Sequence, residues 1–121
     1  MTTEQIIHAY FDALSSRGDW QGFFAEQMVF TSHAGAGKRV TGKDACIEST
    51  RGFYSMIESV ELMELIADGE RACALTRYRL QPRGGESFSS DVAEVFMVKA
   101  DKIDSFQIYL DSAPYPTPAG P

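Results

Sequence analysis

The sequence predicts an α+β domain with N-terminal helices packed on one face of a curved, mostly antiparallel sheet. Three observations predict it. Two segments of the first half repeat apolar residues at helical spacing, while the second half alternates apolar and polar residues between turn signals. The chain is also 44% hydrophobic over 121 residues, with 8 Phe, 5 Tyr and 1 Trp, enough for one packed core and too little length for two domains. One domain over 1–115 and an irregular Pro-rich tail over 116–121 follow.

In chain order, Ile6, Ile7, Tyr10, Phe11 and Leu14 form one stripe, and Thr2 with Gln5 offers a capping box, so a helix is expected over about 3–16. Gly18 stops it. Asp19 then reads as the N-cap of a short second helix carrying Trp20, Phe23 and Phe24. Residues 27–33 (QMVFTSH) read as a strand, followed by the small AGAGK loop and an extended piece over 39–41. Helical spacing returns near Lys43, with Cys46, Ile47, Thr50, Phe53, Tyr54 and Ile57 on one face. From Ser59 onward four strands are expected to run as a meander: VELMELIA, a turn at Asp68-Gly69, RACALTRYRL, a PRGG turn, SFSSDVAEVFMVKA, an ADK turn and IDSFQIYLD.

Charge and composition exclude several functions. A net charge of −6 and a pI near 4.8 oppose nucleic acid as a partner. Cys46 and Cys73 lie in no metal-spaced pattern, and with two histidines and no HExxH or Walker pattern neither a metal nor a cofactor is expected. The N-terminus lacks the charge order of a secretory signal and no apolar run is long enough to span a bilayer, so no membrane is expected and a cytoplasmic, reduced setting fits.

The long fifth-strand segment carries the first chemical signal. Its even positions Phe88, Ser90, Val92, Glu94, Phe96 and Val98 form the more apolar face, with Glu94 at the centre. A carboxyl group there is either neutralised by an arginine such as Arg77 or Arg79 on the neighbouring strand, or is a cavity acid. His33 stands at the end of the first strand beside the glycine loop, where a pocket would have its wall or mouth, and suits proton transfer near neutral pH. Tyr10 lies on the apolar stripe of the first helix and His8 on its polar face. Asp111, ending the last strand, reads either as a turn cap or as a site acid.

The order of elements, with the phrases AYFDALSSRGDWQGF, MVFTSH followed by VTGKDA, and VFMVKADKIDSFQIYLD, resembles the SnoaL-like branch of the nuclear transport factor 2-like (NTF2-like) superfamily. That superfamily has a cone-shaped fold and includes ketosteroid isomerase. The resemblance covers Thr3 to Tyr115 and implies a SnoaL-like protein for small molecules, acting without cofactor as an isomerase or cyclase by proton abstraction next to a carbonyl. The family's isomerase site has a tyrosine on the first helix, an aspartate base at the end of the first strand and a protonated acid on a late strand. Tyr10, His33 and Glu94 hold those places here, His33 departing from the aspartate. Asp111 is the counterpart of the acid used by the family's polyketide cyclases. The Arg-x-Asp pair of its epoxide hydrolases is absent from LTRYRL. Substrate contacts are expected from Trp20, Phe24, Phe30, Tyr54, Phe96, Phe106 and Leu110, with a small apolar carbonyl compound as ligand. A non-catalytic binding or dimerisation module is the alternative. In either case a homodimer through the sheet face is expected, with Leu62, Ala72 and Ala74 at the interface in the alternative.

Overall fold

A computed structural model describes residues 1–115; the expected Pro-rich tail over 116–121 lies outside the described residues. Helix α1 spans Thr3–Ser15 and buries Ile6, Ile7, Tyr10, Phe11 and Leu14. Its capping box is formed: Gln5 N donates to Thr2 Oγ1 at 3.1 Å and Thr2 N to Gln5 Oε1 at 2.8 Å. The expected second helix is a single 3-10 turn, Gln21–Phe23, closed by Gly22 N donating to Asp19 Oδ1 at 3.0 Å. Phe24 does not belong to it. It opens strand β1 (Phe24–Ser32), so the strand starts three residues earlier than expected and ends before His33.

Strand β2 (Lys38–Thr41) leads into helix α2 (Lys43–Ser55). Ile57, expected on the helix, opens β3 (Ile57–Asp68), which is followed by β4 (Arg71–Leu80), β5 (Phe88–Lys99) and β6 (Lys102–Leu110). The sheet order is β2-β1-β6-β5-β4-β3. All neighbours are antiparallel except β1 and β6, which run parallel. Register shifts interrupt β3 twice, β1 once between Phe24 and Val29, and β6 once at Asp104, as β-bulges that curve a sheet do.

Both helices cover the concave face, α1 over β3 and β4 and α2 over β1 and β2. Onto that face point Met28 and Phe30 of β1, Ala72, Ala74, Thr76, Tyr78 and Leu80 of β4, and Val92, Glu94, Phe96 and Val98 of β5, all buried. Ala72 and Ala74 are therefore core residues and Leu62 packs against the same core, which removes all three from the expected interface. Phe96 stacks on Phe106 with ring centroids 4.8 Å apart and meets Tyr10 edge to face. Both cysteines are free. No helix among the described residues is long and apolar enough to cross a membrane.

Candidate functional site

Between α2 and the concave face lies a cavity of about 330 Å³, at the lower end of the size range of ligand sites. Phe30, Phe53, Val92, Phe106 and Ile108 give it apolar walls. Ser32, Ser49, Thr50, Tyr54 and Glu94 add polar groups, and Ala34, Ala36, Gly37 and Lys38 complete the lining.

Glu94 is 2% exposed, and strand register explains what surrounds it. It faces Ala74 on β4 and Ile108 on β6, so no neighbouring side chain directly opposite brings a charge. The inward residues further along β4 supply hydroxyls instead. Tyr78 OH donates to Glu94 Oε2 at 2.9 Å, and Thr76 Oγ1 lies 2.5 Å from the same oxygen. Oε1 has no hydrogen-bond partner among the described residues, and Glu94 lines the cavity, so this oxygen is left for a ligand.

Burial pushes the Glu94 carboxyl up to about 7, against the opposing pull of the Thr76 and Tyr78 hydroxyls. Thr76 Oγ1 is also 3.0 Å from the Val92 carbonyl, which only accepts, yet a threonine hydroxyl carries one proton. The Thr76 hydroxyl proton is therefore shared between Glu94 Oε2 and the Val92 carbonyl, the shorter contact being the one it donates to the carboxyl. Tyr10 OH and Tyr54 OH share a 2.6 Å hydrogen bond. Burial raises the pKa of Tyr10, Tyr54 and Tyr78, so all three stay protonated donors.

Of the residues expected to act, Glu94 lines the cavity and Tyr10 reaches its wall through Tyr54. His33 does not join them. Side chains alternate along a strand, and Phe30 and Ser32 face the cavity, so His33 belongs to the opposite face with Val29 and Thr31. There its Nε2 bonds Gln107 Oε1 at 2.9 Å and its ring stacks on Tyr109 at 4.3 Å. Asp111 is exposed just past β6, where its Oδ1 caps Ala113 N at 3.0 Å; it is a turn cap outside the cavity. Arginine does not neutralise Glu94 either. Arg77 is paired across the strands with Asp91, Nε to Oδ1 at 2.8 Å, and Arg79 Nη1 contacts Ser89 Oγ at 3.4 Å, both on the convex face.

Of the expected contact residues, Phe30, Tyr54 and Phe106 line the cavity. Phe24 and Phe96 are spent in the core, Trp20 packs on Phe24 and Tyr54 outside the cavity, and Leu110 lies beyond its Ile108 wall. Thr76 and Tyr78 were the residues sequence reasoning missed. The alternation of LTRYRL, in which Thr76, Tyr78 and Leu80 oppose Arg77 and Arg79, puts them on the face that Glu94 shares. Ser49 carries no comparable signal.

Solved structures share this fold. A protein with a ketosteroid isomerase-like fold from Catenulispora acidiphila, in complex with trimethylamine, superposes with a TM-score of 0.72 at 21% identity, covering 88% of this chain and 85% of that one. An NTF2-like protein of unknown function from Burkholderia pseudomallei gives 0.76 at 21% identity, covering 93% and 92%. A candidate SnoaL-like polyketide cyclase from Jannaschia sp. gives 0.76 at 13% identity, covering 98% and 93%. At these identities the likeness establishes the fold alone. Among curated proteins none matches. The family model described as "SnoaL-like domain" matches residues 7–106, which is most of the chain and includes the whole Glu94 network, and on that evidence the protein belongs to the SnoaL-like domain family.

Proposed function

We propose that the cavity binds a small, largely apolar carbonyl compound and that Glu94 moves a proton next to the carbonyl, the chemistry of a cofactor-independent isomerase or cyclase. One observation carries this reading: a dry carboxyl that titrates near 7, in an apolar cavity, with Oε1 unengaged. A pKa near the working pH lets one group serve as base and then as acid. Ionised Glu94 takes a proton from the carbon beside the carbonyl, and the resulting acid returns it to another carbon of the same framework. Tyr54 OH, in the cavity wall and held by Tyr10 OH, donates to the enolate oxygen in between. Tyr10 acts through Tyr54 as a positioning residue.

Hydrogen–deuterium exchange of acetophenone methyl protons in D2O, followed by NMR, tests the chemistry. The protein should accelerate exchange, and Glu94→Gln should remove on the order of 10²-fold of the acceleration or more. Binding without any acceleration establishes the second reading, a non-catalytic ligand-binding module. That reading draws on the position of His33 and Asp111, the two expected bases, outside the cavity.

The proposal includes a homodimer through the convex sheet face. Ile66, Tyr109 and Met63 are 57%, 46% and 41% exposed, and Leu75, Val95 and Met97 are only partly covered. Such a face is more apolar than an isolated sheet ordinarily presents to water.

A further inference from the structure

Ser49 Oγ is the one buried side-chain polar atom without a hydrogen-bond partner among the described residues. Its neighbours on α2 show the ordinary behaviour of a helical hydroxyl. Thr50 Oγ1 donates back to the Cys46 carbonyl at 2.9 Å, and Ser55 Oγ to the Gly52 carbonyl at 2.7 Å. Ser49 makes no such bond and lines the cavity. Buried polar groups in folded proteins are almost always satisfied, so a solitary enclosed hydroxyl on a residue that lines a ligand-sized cavity identifies a place where a ligand atom completes the pairing once the side chain turns about its Cα–Cβ bond.

A second polar feature stands at the rim. Lys38 is the one cation among the cavity-lining residues, and among the described residues no carboxylate lies within ion-pair distance of it. Its neighbours in the lining are Ala34, Ala36 and Gly37, none of which carries a charge. The chain as a whole carries −6, so an anion is drawn to this cavity only by a local charge of this kind.

From these two features we propose that the ligand is an apolar keto acid, with Ser49 donating a hydrogen bond to its carbonyl oxygen and Lys38 pairing with its carboxylate. The proposal rests on the carbonyl-binding reading above and adds the ligand's charge and its anchor. The apolar body lies against Phe30, Val92 and Phe106, and the carbonyl group comes within reach of the cavity acid.

Three probes of one shape separate the contributions by calorimetric titration at pH 7: 4-acetylbenzoate, acetophenone without the carboxylate, and 4-isopropylbenzoate without the carbonyl. 4-Acetylbenzoate should bind about tenfold or more tightly than either of the others, the value of one charge-assisted or buried hydrogen bond. Lys38→Gln should erase its advantage over acetophenone, and Ser49→Ala its advantage over 4-isopropylbenzoate. Because Ser49→Ala deletes an unsatisfied hydroxyl, the unliganded variant should melt at or above the parent temperature, which separates lost affinity from lost folding. Equal affinity for acetophenone and 4-acetylbenzoate overturns the keto-acid proposal while leaving the carbonyl cavity standing. Equal affinity for 4-isopropylbenzoate and 4-acetylbenzoate overturns the role of Ser49. If none of the three binds, both the proposal and the reading beneath it fall.

Discussion

A carboxyl group between dry walls and hydroxyl donors settles its charge by which of the two acts more strongly on it. For Glu94 the walls win, and stability inherits the result. The group's pKa is about 7 in the folded protein against an ordinary 4.5, so between those values the folded state holds a proton that the unfolded state has lost. Stability is greatest below about pH 4.5 as far as this group is concerned, falls as pH rises to about 7, and is level above it, a change on the order of 3 kcal/mol. Urea unfolding at pH 5 and pH 8 should show this decline, and Glu94→Gln should flatten it. Subtracting the two proteins cancels exposed carboxylates such as Asp91, whose titration both share. Thr76 and Tyr78 stabilise the ionised form, so Thr76→Val should move the Glu94 midpoint upward, as measured by carbon NMR of the carboxyl group. Glu94 was legible in the sequence because an acid in the middle of an apolar alternation needs either a charged partner or a cavity, and the choice between them was left to the structure. His33 was misplaced for a related reason: β1 carries Val29 on one face and Met28 and Phe30 on the other, and apolar residues on both faces do not reveal which face meets the helices.

At the scale of elements, the signals that proved reliable are local ones. The Thr2–Gln5 box and the stripe from Ile6 to Leu14 are written within a few residues of one another, and α1 follows them. Thr2→Ala should cost about 1 kcal/mol of stability, seen as a shift in the urea midpoint with an unchanged slope. Failures came where an aromatic run fits two periods. Trp20, Phe23 and Phe24 have helical spacing, but the turn has Gly22 at its middle and is too short to propagate, and the chain is already extended at Phe24. Ile57 behaves in the same way at the end of α2, where one more helical step and the first step of β3 both bury it. The cavity lining was legible only in part because lining depends on which core rings are used up by each other. Phe96 and Phe106 stack, and only Phe106 of the pair also reaches the cavity.

For the molecule as a whole, the α+β class and the meander from β3 to β6 could be read from turn signals, whereas the placement of β1 against β6 could not, since no local feature records a partner so far along the chain. The convex face carries the prediction at this scale. Leu75 is partly covered at its centre, so Leu75→Lys should convert a dimer to monomers in sedimentation velocity with little loss of fold, and a monomeric parent protein would remove the dimer from the proposal. The parallel seam between β1 and β6 also bears on how the molecule is made. β1 supplies Phe30 to the cavity and β6 supplies Phe106 and Ile108, so neither wall exists until the last strand has docked beside the first. The intervening strands can pair with their sequence neighbours early, but closing so long a loop is entropically costly, and the seam is the natural late step of folding. During synthesis on a ribosome, the cavity can be completed only after β6 has left the exit tunnel, so ligand cannot assist folding of the nascent chain and binds only once the full sheet has closed.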